Sequence, residues 1–145
     1  MSEQTSALTN TTNARIVERF LFALSDQDFA TADELLADDV AYQNVGLPTI
    51  HGRVRVVKLL SGMEGRMAFE VKFHRNVAEG TTVLNERTDA LVLGPLRMQF
   101  WVCGVFEIRD GKITLWRDYF DFFDFTKSFV RGLAGIAIPA LRPAM

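Results

Sequence analysis

The sequence predicts an α+β domain in which helices come first and strands follow. Apolar residues recur at helical spacing in the first half, the period changes to two from Met67 onward, and turn residues separate the later runs. Helices that precede a set of strands pack on one face of a curved sheet. We therefore expect a cone that opens at one end, which is a usual place for a ligand.

The first helix is predicted to end at about Ser25. Its apolar residues follow a capping residue at Thr12 or Asn13 and are Ile16, Val17, Phe20, Leu21 and Leu24. Residues 1–12 are polar and lack a basic start and an apolar stretch, so they do not match a secretory signal. We expect residues 1–12 to form a disordered tail and residues 13–145 to form one domain.

Two shorter helices flank the first strand. Asp28 can cap a second helix, and the β-prone run Val40-Ala41-Tyr42 starts a strand that Pro48 ends. After Gly52, apolar residues at helical spacing predict a third helix, which Gly62 closes. The helices are therefore concentrated in the first half of the chain.

The second half alternates as strands do, at residues 67–73, 82–92, 96–108 and 112–120. Glu79-Gly80, Gly94-Pro95 and Asp110-Gly111 supply the turns, so an antiparallel meander is the simplest connection. The segment from Phe122 onward is an unusually apolar C-terminal extension. It either packs on the domain or a second subunit, or helps to close the pocket.

Composition limits the classes of function. The chain has 145 residues, enough for one domain with a core and a small cavity, and its net charge of -2 gives no argument for a nucleic acid or an anionic membrane as partner. A lone Cys103 excludes an internal disulfide, and His51 and His74 lack metal-ligand spacing. No run reaches the roughly 18 apolar residues that span a bilayer. We expect a cytoplasmic protein without metal or cofactor that binds a small uncharged partner.

Three strand-like peptides present ionisable or polar side chains among apolar ones. Successive side chains of a strand point to opposite faces, so residues two apart lie on the same face of their strand. In each peptide this groups a set of side chains: Tyr42 with Asn44; Arg87 with Asp89 and Leu91; Trp116 with Asp118 and Phe120. If these faces line one cavity, the site holds two carboxylates, a guanidinium, a phenol and an amide. This is a set for acid/base catalysis.

The apolar neighbours of Asp118 make full solvation unfavourable, and a buried acid needs a partner or a proton. Arg87 is the obvious partner. One arginine between Asp89 and Asp118 leaves a net charge of -1 if both acids are ionised and zero if one keeps its proton, so a low-dielectric cavity favours one base and one acid. Tyr42 and Asn44 could hold a water while the ionised aspartate takes its proton.

Other polar residues are assigned structural roles. His51 and His74 are expected to be structural, Cys103 to lie in the core, and Asp121 and Asp124 to start a helix. A further apolar set is either core or pocket wall: Met63, Met67, Phe69, Leu91, Phe100, Val102 and Phe120. As pocket wall, these residues favour a hydrocarbon ligand over a sugar or nucleotide.

Tyr42-x-Asn44, Arg87-x-Asp89 and residues 116–121 together resemble, in order and spacing, limonene-1,2-epoxide hydrolase and its relatives. The similarity covers about residues 15–123. It implies a strongly curved mixed sheet with packed helices and a deep pocket, which corrects the purely antiparallel meander, and usually a homodimer. It also implies one-step hydrolysis of an epoxide to a vicinal diol, without metal or covalent intermediate.

The resemblance also implies a role for each candidate. Asp118 is the general base on water, Tyr42 and Asn44 hold that water with it, Asp89 is the general acid that protonates the epoxide oxygen, and Arg87 bridges the two acids. The segment around residues 63–73 departs from the limonene enzyme and the apolar extension is longer, so we expect a larger lipophilic epoxide as substrate.

Two alternatives stay open from the residues. An isomerase or cyclase of the same cone-like architecture would use an aspartate to move a proton between carbons, although a bridging arginine would weaken that base. A non-catalytic module for small-ligand binding or dimerisation would need Asp89 and Asp118 for folding alone. The larger epoxide hydrolases with a nucleophile elbow are disfavoured because the chain has neither their length nor a Gly-flanked elbow.

Overall fold

Residues 3–145, which the computed structural model describes, form four α-helices packed on a six-stranded mixed sheet. The helices are α1 (Glu3–Ser25), α2 (Phe29–Leu35), α3 (Arg53–Ser61) and α4 (Phe122–Ala137), with a short 3₁₀ turn at Pro139–Leu141. The strands are β1 (Leu36–Asn44), β2 (Ile50–His51), β3 (Ala68–Glu79), β4 (Thr82–Leu93), β5 (Leu96–Arg109) and β6 (Lys112–Tyr119). The predicted α+β class is confirmed.

The strands are arranged in the order β2-β1-β6-β5-β4-β3. Strands β3 to β6 form the predicted antiparallel meander, whereas β1 lies parallel to β6. A purely antiparallel sheet is therefore wrong, and the mixed sheet implied by the resemblance is correct. The parallel pairing sets Asn44 opposite Asp118, and the β5–β6 pairing sets Gly104 on the other side of Asp118.

Helix α1 begins ten positions earlier than the predicted start, so the prediction of a disordered tail is wrong for residues 3–12; Met1 and Ser2 lie outside the described residues. The backbone N–H of Gly80 donates to Asn10 Oδ1 at 2.9 Å, and Asn13 Nδ2 donates to the Gly80 carbonyl at 2.8 Å. These bonds join the helix to the β3–β4 turn. A polar composition does not by itself separate a solvated helix from a disordered segment.

The hydrophobic core lies between the helices and the inner face of the sheet. Phe20 of α1 packs edge-on against Trp116 of β6, with ring centroids 4.9 Å apart, and Phe106 of β5 stacks against the same indole at 6.4 Å. Helix α3, predicted from the spacing of Val54, Val57 and Leu60, buries Leu60 but exposes Val54 and buries Val56 instead. No helix within residues 3–145 is long and apolar enough to cross a bilayer.

The apolar C-terminal segment forms α4, which packs along β5. Asp121 caps this helix, as predicted, by accepting from the backbone N–H of Phe123 at 2.7 Å and of Asp124 at 3.2 Å. The approach is close at Gly132, where a Cβ would lie 2.7 Å from the carbonyl oxygen of Arg97. The extension therefore packs back on its own domain.

Candidate active site

Arg87 is the largest fully buried side chain among the described residues, and two buried carboxylates flank it. Its Nε and Nη2 atoms donate to the two oxygens of Asp89 at 2.9 and 3.0 Å. Nη2 also lies 2.8 Å from Oδ1 of Asp118. The structure therefore brings together the three charged residues that the sequence analysis grouped.

The strand register explains how one guanidinium reaches both acids. Arg87 and Asp89 share the inner face of β4, Asp118 lies on β6, and β5 passes between them with Gly104 at the crossing point. A Cβ on Gly104 would lie 2.5 Å from Nη1 of Arg87 and 2.6 Å from Oδ1 of Asn85. Only glycine leaves room for the arginine to cross β5 at this position.

Asp118 is held differently from Asp89. Its Oδ2 accepts from the indole N–H of Trp116 at 3.1 Å. Its Oδ1 is buried and lies 2.8 Å from Nη2 of Arg87, which pairs this acid with the guanidinium. The Asp118 side chain also lines the cavity, so its carboxyl group can meet a bound molecule.

The parallel β1 brings Tyr42 and Asn44 to the same place. The amide of Asn44 donates to the phenol oxygen of Tyr42 at 3.0 Å. The ring of Tyr42 stacks on Trp116 with centroids 3.9 Å apart and planes 19° apart. The stacking fixes the phenol beside the strand that carries Asp118, so both predicted co-holders lie in the site.

Burial dominates the electrostatics of the site. It raises the pKa of Asp89 to about 6 against the opposing effect of Arg87, and it raises the pKa of Asp118 against Arg87 and the Trp116 N–H. Burial, with the negative charge of Asp118, raises the pKa of Tyr42 to about 12, so the phenol keeps its proton. Burial opposes the charge of Arg87, but the two carboxylates outweigh it, raise its pKa and keep it charged.

A cavity of about 290 Å³ opens onto these groups. Tyr42, Asn44, Asp89 and Asp118 line it, and all seven predicted wall residues, from Met63 to Phe120, do so as well. Arg87 lies behind the two aspartates and is itself fully buried. The cavity surface is thus apolar apart from a few groups capable of acid/base chemistry.

Phe125 of α4 reaches the cavity, so the apolar extension contributes to the pocket as well as packing on its domain. Two residues of the site were not predicted. Gln27 contributes an amide to the cavity wall. Asn85 accepts from Nη1 of Arg87 at 2.9 Å. Its position two residues before Arg87, on the same face of β4, was the available signal.

The residues set aside in the sequence analysis lie outside the cavity lining. His74 bonds to the hydroxyl of Thr88 at 2.8 Å and stacks on Trp101. Cys103 is exposed, so its predicted core location is wrong: Val102 and Gly104 face inward, which turns the residue between them outward. Among residues 3–145 no group of three or more His, Cys, Asp or Glu side chains is placed to share a metal ion.

The chain is similar to known proteins in both sequence and structure. The model of the limonene-1,2-epoxide hydrolase catalytic domain matches residues 11–131. Epoxide hydrolase EphG of Mycobacterium tuberculosis is 56% identical over 129 residues, which cover 89% of this chain and 87% of the relative. The solved structure of an M. tuberculosis LEH-like epoxide hydrolase has a TM-score of 0.92 and 54% identity, covering 94% of this chain and 97% of that one.

More distant structures share the fold alone. An NTF2-like protein from Burkholderia xenovorans has a TM-score of 0.67 at 20% identity, with 83% of this chain and 97% of that chain covered. The cone-shaped architecture is therefore common to proteins well beyond the epoxide hydrolases, and the architecture by itself carries no chemistry.

Proposed function

The chain belongs to the limonene-1,2-epoxide hydrolase family, and from this premise we propose that it adds water to an apolar, lipophilic epoxide to give a vicinal diol. The observation that carries the proposal is the buried guanidinium of Arg87 between Asp89 and Asp118, at the wall of an apolar cavity. One cation and two acids are neutral together when one acid keeps a proton, so the site has a base and an acid at once.

Asp118 serves as the general base in this proposal. The Asp118 carboxylate, the amide of Asn44 and the phenol of Tyr42 together hold a water. The support is that all three residues line the cavity and that the Asn44–Tyr42 bond holds two of them side by side. As the water oxygen forms its bond to an epoxide carbon, one water proton passes to Asp118. The phenol remains a hydrogen-bond donor throughout because of its raised pKa.

Asp89 serves as the general acid. It gives its proton to the epoxide oxygen as the bond from that oxygen to the attacked carbon breaks, so the leaving oxygen becomes a hydroxyl rather than an alkoxide. Each proton transfer of this kind contributes about 10²- to 10⁴-fold in rate. After one turnover Asp118 holds the proton and Asp89 is ionised. Arg87, which contacts both acids, provides the path by which the starting state is restored.

The cavity supports an apolar substrate class. Its wall is built from methionine, phenylalanine and aliphatic side chains, and the polar groups on it are few. The volume of about 290 Å³ lies near the lower end of pockets that enclose small molecules, about 300–1,000 Å³. A compact hydrocarbon skeleton with one oxirane suits such a cavity better than a sugar or a nucleotide. The cavity volume therefore favours a smaller substrate than the larger, bulky epoxide expected from the sequence.

Homodimeric assembly and a cytoplasmic location are also part of the proposal. The outer face of the sheet exposes Trp101, Tyr119 and Leu84, and a surface of this kind suits contact with a second copy of the chain. The exposed thiol of Cys103 on the same face suits a reducing compartment. Size-exclusion chromatography with light scattering tests the assembly directly.

The function is tested by incubating the protein with a panel of apolar epoxides in ¹⁸O water. The expected product is a diol carrying one ¹⁸O, with no label on the protein, and Asp118→Asn should form it about 10²- to 10⁴-fold more slowly. Label incorporated into an aspartate would indicate a covalent ester and contradict one-step hydrolysis. Absence of diol from every epoxide would overturn the proposed function.

A further inference from the structure

A row of amide side chains runs from the guanidinium of Arg87 across β4 and β3 to helix α1. Nη1 of Arg87 donates to Asn85 Oδ1 at 2.9 Å, and Asn85 Nδ2 donates to Asn76 Oδ1 at 3.5 Å. Asn76 Nδ2 donates in turn to the backbone carbonyl of Ala14 at 3.0 Å and lies 3.3 Å from a carboxylate oxygen of Glu18. Asn85 is only 5% exposed, so its bonds do not compete with bulk solvent.

The backbone end of this row fixes the direction of every amide in it. A carbonyl can only accept, so Asn76 must present its NH₂ to Ala14 and its oxygen to Asn85. Asn85 must then present its NH₂ to Asn76, which leaves its oxygen for Arg87. Because arginine has donors alone, this polarity is the one that the guanidinium requires.

The guanidinium is also confined sterically. Gly104 packs against both Nη1 of Arg87 and Oδ1 of Asn85 so closely that a Cβ at this position would overlap both atoms. With Asn85 holding Nη1 on one side and Asp89 holding Nε and Nη2 on the other, the plane of the guanidinium cannot turn. Its distance to Asp118 is set by the same contacts.

We propose that Asn85 is a positioning residue: it holds the guanidinium of Arg87 in one orientation and thereby fixes how a single proton is divided between Asp89 and Asp118. This inference rests on the proposed function and identifies a further residue on which the reaction depends. A neutral amide suits the role because it occupies one donor of Arg87 without adding negative charge. A third carboxylate there would compete with both acids for the cation.

Charged and titratable groups contact this row or the acids beside it from four elements. Arg87 and Asp89 come from β4, Asp118 from β6 and Tyr42 from β1, and Glu18 of α1 lies at the far end beside Asn76. A carboxylate introduced at Asn85 would lie against Arg87 and would oppose ionisation of both acids of the site. The base would then need a higher pH to ionise, and the acid would keep its proton to a higher pH.

The test uses Asn85→Asp, Asn85→Leu and matched variants at Asn13. Asn13 is a buried asparagine that also joins α1 to the sheet region, through Gly80, but it is not part of the row. Asn85→Asp should move the whole bell-shaped pH–rate profile upward by about one pH unit. Asn85→Leu should lower kcat by about 10- to 100-fold with little change in KM, because the guanidinium loses its fixed orientation.

The Asn13→Asp and Asn13→Leu variants should lower the Tm but leave the pH–rate profile of the parent unchanged. If Asn85 had only a structural role, its variants would behave like those at Asn13. A profile of Asn85→Asp that superimposes on that of the parent would therefore overturn the inference. If Asn85→Asp does not fold, Asn76→Asp takes its place, and its profile should move in the same direction by less.

A second readout does not need turnover. Carboxyl ¹³C NMR titrations of Asp89 and Asp118 should move to higher pH in Asn85→Asp and stay in place in Asn13→Asp. If the parent forms no diol, the proposed function fails, and the titrations still decide whether Asn85 controls the proton. Unmoved titrations in Asn85→Asp would overturn the inference whether or not the parent is active.

Discussion

Two arginines of this molecule each lie between two aspartates, one at the surface and one in the interior. Arg53 contacts Asp38 at 2.9 Å and Asp33 at 3.7 Å, with side chains that are 34%, 89% and 47% exposed. Arg87 contacts Asp118 and Asp89 at similar distances, but its side chain is 0% exposed and those of the acids are 8% and 6% exposed.

We call Arg87 with its two acids the inner group and Arg53 with its two acids the outer group. Because the charges are the same, it is burial that makes the inner group a candidate for chemistry. Exposed ion pairs gain about 0–1 kcal/mol because water and salt screen them. In the interior neither acid can be solvated, so each must be matched by the arginine or by a proton. Burial therefore raises the pKa of both inner acids, Asp89 and Asp118, which favours a proton shared between them.

The largest expected difference between the two groups is in turnover. Asp118→Asn removes the proposed base and should lower kcat/KM for an apolar epoxide by about 10²- to 10⁴-fold. Asp38→Asn changes the same side chain in the outer group and should leave kcat/KM unchanged. Steady-state kinetics checks both, and circular dichroism verifies the fold of each variant. Loss of activity in Asp38→Asn alone would reverse the assignment.

Stability gives the next comparison. Arg87→Met leaves two buried carboxyl groups without their cation, so the free energy of unfolding should fall by about 3–5 kcal/mol. Arg53→Met removes a partly solvated cation and should cost about 0–1 kcal/mol. Urea denaturation at neutral pH measures both values. Equal losses would mean that burial does not distinguish the two groups.

Strand parity explains how much of the inner group could be predicted from the sequence. Alternation placed Arg87 with Asp89, and Tyr42 with Asn44, because a strand fixes which residues share a face. Alternation could not predict that the three strands meet at one cavity. Strands β1 and β6 are far apart in sequence, and their parallel pairing comes from tertiary packing. The resemblance supplied the mixed sheet that the periodicity could not.

The parts that were missed depend on long-range contacts or on the phase of a strand. The early part of α1 is joined to the sheet through Asn10, which bonds to Gly80, 70 residues later, and no local pattern contains such a contact. Cys103 lies in an apolar run, but only its neighbours on the strand point into the core. The apolar composition of the run therefore suggested a buried cysteine, whereas the alternation of the strand turns it outward. Asn85 is a common polar residue whose role appears only when Gly104 and Arg87 are placed around it.

The pH dependence of stability sharpens the comparison further. The folded-state pKa of Asp89 is raised from 3.8 to about 6, so the folded protein binds this proton more tightly than the unfolded chain does. The stability that results is present below about pH 4 and is lost as the pH rises through about 6, and it amounts to about 3 kcal/mol. Asp118, whose pKa is also raised, acts in the same direction.

Asp89→Asn cannot titrate and should therefore gain stability relative to the parent as the pH rises from about 4 to about 7. Urea denaturation of the two proteins at several pH values over that range checks the expectation. A parent that becomes more stable relative to Asp89→Asn with rising pH would contradict a raised pKa for this acid.

The smallest expected effect separates charge from geometry. Arg87→Lys keeps the positive charge but loses the planar fork that bonds Asp89 through two nitrogens while contacting Asp118 and Asn85. An ammonium can satisfy one acid well but cannot bridge both in a fixed geometry, so kcat should fall by about 10- to 100-fold. Arg53→Lys, at a solvated site, should match the parent. If Arg87→Lys retained full activity, charge alone would suffice, and the orientation imposed by Asn85 and Gly104 would be irrelevant to turnover.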